Sequence, residues 1–202
     1  MPITQERGPH HCDMGVDWNN DARRAAAAKY PYTSGACFQY FSDLVKPNDR
    51  VLEVGCQIAS WIWAWWETEP TVQYEGVDWS DVALETAQKR YGENGINTGT
   101  HKPAKFHHMD ARDINFNEEY DIVFTHTFFQ HTSIETKDIV VPKIHQALKK
   151  NGLLIMQENT SYDSLGTWFK PGWIKYYTDR GFELIRDHDI GGGGTGFVFR
   201  KL

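Results

Sequence analysis

Cysteine is scarce in this sequence: Cys12, Cys37 and Cys56 are the only three among 202 residues. An odd, widely spaced set forms neither a disulfide framework nor a CxxC metal site, so a reducing compartment is expected. Runs of basic charge are missing as well. No Lys/Arg run exceeds a dipeptide, as at Arg23-Arg24 and Lys149-Lys150, and the formal net charge is −6. Gripping a phosphate backbone relies on clustered cations that release counterions, so nucleic acid is not the expected partner. No stretch approaches the roughly 20 apolar residues of a membrane span, and residues 1–15 lack the apolar core of a signal peptide. The chain reads as cytoplasmic, with no membrane partner. The G-x-G-x-x-G dinucleotide fingerprint is absent too, since Gly55 is the only glycine from 55 to 60, which argues against an NAD-dependent oxidoreductase.

What is present is an ordinary globular mix, 40% hydrophobic and 24% charged, with a high aromatic share of 14% that includes eight Trp. The length suits one domain. We read residues 1–34 as an N-terminal arm and lid helix, the helix lying over 19–29, and residues 35–202 as the main domain. A helical stripe is expected over 36–45. Apolar runs and helical periods then alternate: strands over 50–55, 73–78, 105–109, 120–125 and 153–158, with helices over 59–67, 81–91, 134–150 and 173–180. Ser80 or Asp81 caps the second of these helices. Pro142 is expected to kink the third or mark its start. Strands alternating with helices imply parallel pairing and right-handed crossovers. Two last strands, 182–189 and 196–201, have only Gly191 to Gly194 between them and should form an antiparallel hairpin. The expected fold is therefore α/β: a doubly wound, mostly parallel seven-stranded sheet with helices on both faces and a C-terminal antiparallel hairpin. The run from Trp61 to Trp66 is read as a helix buried against the sheet.

In such a sheet, ligands bind beyond the carboxyl ends of the strands. Three acids sit at or near those ends: Glu53, Asp78 and Asp110. Asp78 follows Gly55 at close to the spacing of about 20 residues seen for ribose-binding acids. These residues carry a family resemblance. Val51 to Cys56, Tyr74 to Ser80, His107 to Ala111, Tyr120 to Phe124 followed by Phe129-Gln130-His131, and Ile144 to Met156 resemble, in order, the motifs of class I methyltransferases that use S-adenosylmethionine (SAM). The resemblance covers about residues 35–202. It implies that Gly55 lets the backbone approach the methionine part of SAM, with Glu53, Cys56 and Gln57 in the same loop. Asp78 is then the ribose acid and Trp79 lies against adenine. Asp110 and the Ala111 backbone take the adenine amine, and Thr125 and His126 line the cofactor. His126 and His131 are candidate general bases, because His titrates near neutrality. Tyr30, Tyr32, Gln130 and Trp168 are candidate substrate contacts, and Phe169 and Trp173 are further lid candidates.

The chain departs from the family at Gln57 and Ala59, where Gly or another small residue is usual. Glu158-Asn159 stands where catechol-type members carry an Asp-Asn pair for magnesium. Those enzymes also need an acid where His126 stands, so no metal set is expected. The function implied is methyl transfer from SAM to an O or N atom of a small molecule, by in-line displacement. The alternative, motivated by Gln57 and Ala59, is a catalytically inactive binding protein of the same fold.

Overall fold

Strand β1 (Arg50–Val54) is buried at four successive positions, as a parallel strand covered on both faces must be. It pairs in parallel with β2 (Gln73–Asp78) on one side and β4 (Tyr120–His126) on the other. Strand β3 (Lys105–His108) lies outside β2, and β5 (Leu148–Asn159) lies outside β4. Strand β6 (Phe182–Gly191) and β7 (Gly194–Lys201) form the expected antiparallel hairpin, with β7 inserted between β5 and β6. The full order is β3-β2-β1-β4-β5-β7-β6. It reverses direction between β1 and β4, the switch point where ligands of such sheets bind. The computed structural model describes residues 36–95, 101–160 and 169–202. The arm, the helix over 19–29, the boundary at residue 34, and Tyr30, Tyr32 and Trp168 lie outside the described residues.

Among the described residues, five helices accompany the sheet: α1 (Ala36–Gln39), α2 (Ile62–Thr68), α3 (Asp81–Tyr91), α4 (Ile134–Ala147) and α5 (Lys170–Thr178). Alternation along the strands sends Leu52, Val54, Val77, Leu154 and Met156 to one face, where they pack with Val140 and Ile144 of α4 and Trp173 and Tyr177 of α5. Val51, Tyr74, Ile122, Phe124 and Ile155 go to the other, against α2 and α3. Most of the Trp run is core, as read: Trp65 is 0% and Trp66 1% exposed and Trp61 is buried, while Trp63 is half-buried. Burial of this kind stabilises by about 3–5 kcal/mol per side chain, judged from truncations to Ala. The indole N–H groups of Trp65 and Trp66 find no acceptor among the described residues, which offsets part of that gain.

Several boundaries differ from the sequence reading. Helix α2 starts at Ile62 rather than 59, because Gln57 (φ 49°) and Ala59 (φ 56°) take left-handed backbone that no α-helix accepts. Helix α4 ends at Ala147 rather than 150. Leu148 instead pairs with Tyr120, and the Lys149 ammonium meets both Asp121 oxygens at 2.8 Å, so the two lysines join β5. Pro142 lies inside α4 and does not mark its start. The stripe over 36–45 splits into α1 and a 3-10 turn at Ser42–Leu44. Helix α5 begins three residues early, with Pro171 in its first turn, where a missing N–H costs nothing. The Ser80 cap is as read, its hydroxyl accepting from the Ala83 N–H. Trp173 is 0% exposed and belongs to the core, which removes it from the lid, whereas Phe169 is exposed.

Gly76 in β2 is required by packing. A β-carbon there would stand 2.6 Å from Cys56 Sγ and 3.1 Å from Phe106. Gly76→Ala is therefore expected to cost about 1–3 kcal/mol in urea unfolding. Adding Cys56→Ala should return part of that loss. Equal costs in both backgrounds would remove the Cys56 contact as the cause.

Candidate functional site

The loop that leaves β1 turns back over β2. The N–H groups of Gly55 and Cys56 both donate to the Val77 carbonyl, at 2.8 and 3.1 Å. Gly55 has φ 78°, and a β-carbon there would stand 2.7 Å from Phe128 Cδ2. Only glycine meets both demands, the left-handed backbone and the ring laid on its α-carbon. Gln57 and Ala59 follow in left-handed conformations that cost side-chain-bearing residues about 1–2 kcal/mol each. Their loop is held by Asp78, whose Oδ2 accepts from the Gln57 N–H at 2.8 Å while Oδ1 accepts from the Ser80 N–H at 2.8 Å. Asp78 is buried, and burial raises its carboxyl pKa against the pull of those N–H groups and that of Trp79. Trp79 itself is half-buried, and its carbonyl accepts from His108 Nε2 at 2.9 Å.

Glu53 is 2% exposed and accepts from the Tyr74 hydroxyl at 2.6 Å. Burial pushes its pKa up to about 8, Tyr74 opposing and Asp78 reinforcing the rise. A carboxyl whose folded pKa exceeds its ordinary 4.5 adds stability that is fully present below 4.5 and is lost as pH rises through 8. Glu53→Gln keeps an acceptor for Tyr74 and cannot ionise. Its melting temperature is therefore expected to gain on the parent as pH rises from about 6 to about 9. A constant difference across that range would contradict the protonated form in the fold.

Asp110, at the end of β3, caps the Ala111–Asp113 3-10 turn and is closed by its own neighbour. Arg112 donates to it from Nε at 3.0 Å and from the terminal nitrogen at 2.7 Å, a bidentate pair that the sequence reading missed. Ala111 is half-buried beside it.

At the end of β4, Thr125 is buried and His126 half-buried. The His126 ring packs edge-on to Trp61 at 4.8 Å, and burial lowers its pKa to about 4. His131 closes the following 3-10 turn, Phe129–His131, with its Nε2 3.2 Å from Gln130 Nε2. Gln130 is 8% exposed, and its Oε1 accepts from the Asn159 N–H at 2.7 Å, which ties the turn to β5 rather than leaving the amide open.

Glu158, weighed in the sequence only as half of a magnesium pair, instead serves this turn. Its carboxylate accepts from the N–H groups of Phe129 and Gln130, at 3.1 and 3.0 Å, and from the Thr125 hydroxyl at 3.3 Å. The readable signal was an acid just after the apolar run Leu153 to Met156, since a buried carboxylate must find donors. Among the described residues, no group of three or more His, Cys, Asp or Glu is placed to hold a metal ion. None of their helices is long and apolar enough to cross a membrane.

The residues fit SAM on their own chemistry. Glu53 and Asp78 lie close enough at the carboxyl ends of β1 and β2 to repel each other, Asp110 follows β3, the strand adjoining β2, and the loop after β1 carries a glycine with no side chain.

Comparison with known proteins agrees with this arrangement. A family model described as a methyltransferase domain matches residues 51–152. The carboxy-S-adenosyl-L-methionine synthase of Campylobacter lari is 24% identical over 149 residues, covering 73% of this chain and 61% of that protein. The chain thus spans less than two thirds of that relative's length. Among solved structures, a Pyrococcus horikoshii protein superposes with a TM-score of 0.68 at 14% identity, over 98% of each chain. Magnesium protoporphyrin IX methyltransferase from Synechocystis, solved with S-adenosylhomocysteine (SAH), superposes with a TM-score of 0.65 at 13% identity, over 93% of this chain and 90% of that one. With just over half its length matched by the family model and the strand order of the fold complete, the chain belongs to the methyltransferase-domain family of SAM-dependent, class I enzymes.

Proposed function

We propose that this chain transfers a methyl group from SAM to an O or N atom of a small molecule, by in-line displacement. The observation that carries the reading is the set Glu53, Asp78 and Asp110 around the left-handed Gly55, on three adjacent strands next to the switch point. SAM supplies a methyl group already activated on a sulfonium, so the protein's work is alignment and exclusion of water. Asp78 accepts from the ribose hydroxyls, and Trp79 packs on the adenine. Asp110, oriented by Arg112, accepts from the adenine amine while Ala111 donates from its backbone. Glu53, with Cys56 and Gln57, keeps the loop beside the methionine end, and Thr125 with His126 borders it on the β4 side.

His126 stays unprotonated through the neutral range, and a group with a pKa near 4 takes a proton only weakly. It suits orienting an acceptor hydroxyl or amine. His131 is the second candidate base, and Gln130, Tyr30, Tyr32 and Trp168 are the substrate contacts. The net charge of −6 favours a small acceptor over nucleic acid, and the free, buried Cys56 thiol suits a cytoplasmic protein.

The inactive-protein alternative rested on Gln57 and Ala59. Both adopt the left-handed backbone a glycine would, which supports a loop that keeps its path despite the two side chains. A second reading follows from the Campylobacter lari relative, whose name gives a carboxylated SAM as its product: the chain would modify the cofactor instead of transferring its methyl group. Calorimetric titration with SAM and SAH, followed by a screen of small acceptors with methyl-labelled SAM, separates these. Label in an acceptor supports transfer, and label retained in a modified SAM supports remodelling. A folded chain that binds neither SAM nor SAH rules out both.

A further inference from the structure

We propose that Glu158 is a positioning residue of the transfer site: its carboxylate holds the loop after β4 so that Phe128 seats on Gly55, and cofactor affinity depends on that seat. The inference rests on the SAM reading above and adds to it a residue two strands away from β1. Glu158 is the last residue but one of β5, 1% exposed, and spends both oxygens on the end of β4 and the turn that follows it. Oε1 accepts from the Phe129 N–H and the Thr125 hydroxyl, and Oε2 accepts from the Gln130 N–H. Two more bonds run alongside, from the Thr127 N–H to the Gln157 carbonyl at 2.7 Å and from the Asn159 N–H to Gln130 Oε1. The residue between these anchors is Phe128. Its ring lies on the Gly55 α-carbon and meets Phe129 edge-on at 5.0 Å.

Burying a carboxylate costs several kcal/mol, and an apolar residue at this place in β5 would cost less. What the carboxylate adds is acceptance from the Phe129 and Gln130 N–H groups and the Thr125 hydroxyl at once, with the Phe128 N–H acting on it as well, so that one group joins the end of β4 to the turn after it. The groups facing Glu158 are the Lys137 ammonium from α4, the Tyr177 hydroxyl from α5 and Thr125 from β4. His126 and His131 lie on the segment it holds. Burial pushes the Glu158 pKa up to about 7, against the backbone N–H groups and Lys137. Protonation near neutrality turns one acceptor oxygen into a donor aimed at the loop's N–H groups, which loosens the seat. His126 remains neutral throughout that window, and His131 is common to every variant below.

The test is calorimetric titration with SAH of the wild type, Glu158→Gln, Phe128→Ala and the double variant, at about pH 6 and about pH 8, with thermal melting of each. The wild type is expected to bind more weakly at the lower pH. Glu158→Gln should lose about tenfold in affinity at the higher pH and show a smaller pH dependence. Phe128→Ala should lose a similar factor, and the double variant no more than the larger single loss, because both act through one seat. Losses that multiply in the double variant overturn the proposal, as does a folded Glu158→Gln that binds SAH like the wild type at both pH values. Should Glu158→Gln fail to fold, unchanged SAH binding by Phe128→Ala overturns it. A wild-type chain that does not bind SAH defeats the SAM reading itself, a result distinct from these.

Discussion

Asp78→Ala is expected to lower SAH affinity by at least about 100-fold and to destabilise the fold by about 2–3 kcal/mol. Both effects have one origin. The carboxylate already serves the protein, accepting from the Gln57 and Ser80 N–H groups at 2.8 Å and joining the loops that follow β1 and β2. Ribose hydroxyls are proposed to donate to the same carboxylate, at the carboxyl end of β2. Bonds to a charged acceptor contribute about 1.5–3 kcal/mol each, so losing two of them reaches the 100-fold range. Removing the carboxylate also leaves buried N–H groups unpartnered, which accounts for the stability loss. Asp78→Asn keeps an acceptor oxygen for Gln57 or Ser80 but not the charge. It should lie between the two in affinity and close to the wild type in stability. Calorimetry and urea unfolding on the same preparations separate the contributions. A folded Asp78→Ala that binds SAH like the wild type removes Asp78 from the cofactor site.

Glu75→Ala is expected to cost about 3–5 kcal/mol in urea unfolding near pH 7, a large share of the roughly 5–15 kcal/mol that holds a domain together. Glu75 lies in the middle of β2, on the strand but away from the site. It accepts from the Arg50 guanidinium at 2.9 Å, His107 Nε2 at 2.9 Å and the Tyr120 hydroxyl at 3.0 Å. Arg50 also lies over the Tyr120 ring at 4.9 Å. Burial by itself raises a carboxyl, but the bonds from His107, Arg50 and Tyr120 outweigh it and hold Glu75 at about 2, below its ordinary 4.5. For an acid with a depressed folded pKa, the stabilisation is present above 4.5 and is lost as pH falls through 2. The wild type should therefore lose this contribution on acidification, while Glu75→Ala, which never had it, loses less over the same interval. SAH affinity at neutral pH should change far less than stability in a folded variant, because Arg50 and Tyr120 stand at the starts of β1 and β4, away from the carboxyl ends. An urea midpoint within error of the wild type would show that the cluster contributes nothing net.

The strands were legible because their signal is local. Val51-Leu52-Glu53-Val54 and Asp121-Ile122-Val123-Phe124 are runs that no amphipathic helix would carry, and Ser80 before the α3 period is a cap visible within four residues. The hairpin was legible from the glycines between its strands. Boundaries were less so. Lys149 and Lys150 suit a helix end, yet Asp121 lies 28 residues away in sequence and draws Lys149 onto the sheet. Of the site, Glu53, Gly55, Asp78 and Asp110 could be placed from their positions at strand ends. The ion pair that closes Asp110, the seat of Phe128 on Gly55 and the turn held by Glu158 could not.

The sequence by itself determined the order of elements, the parallel sheet with its terminal hairpin, and the strand ends where acids gather, because periodicity, caps and turns act over a few residues. Only the tertiary structure decided which donors each buried carboxyl meets. Glu75 meets Tyr120 from 45 residues away, and Glu158 meets the Phe129 N–H from 29. Such partners are chosen when β4 inserts between β1 and β5, and a buried charge takes whatever donors that packing brings within about 3 Å.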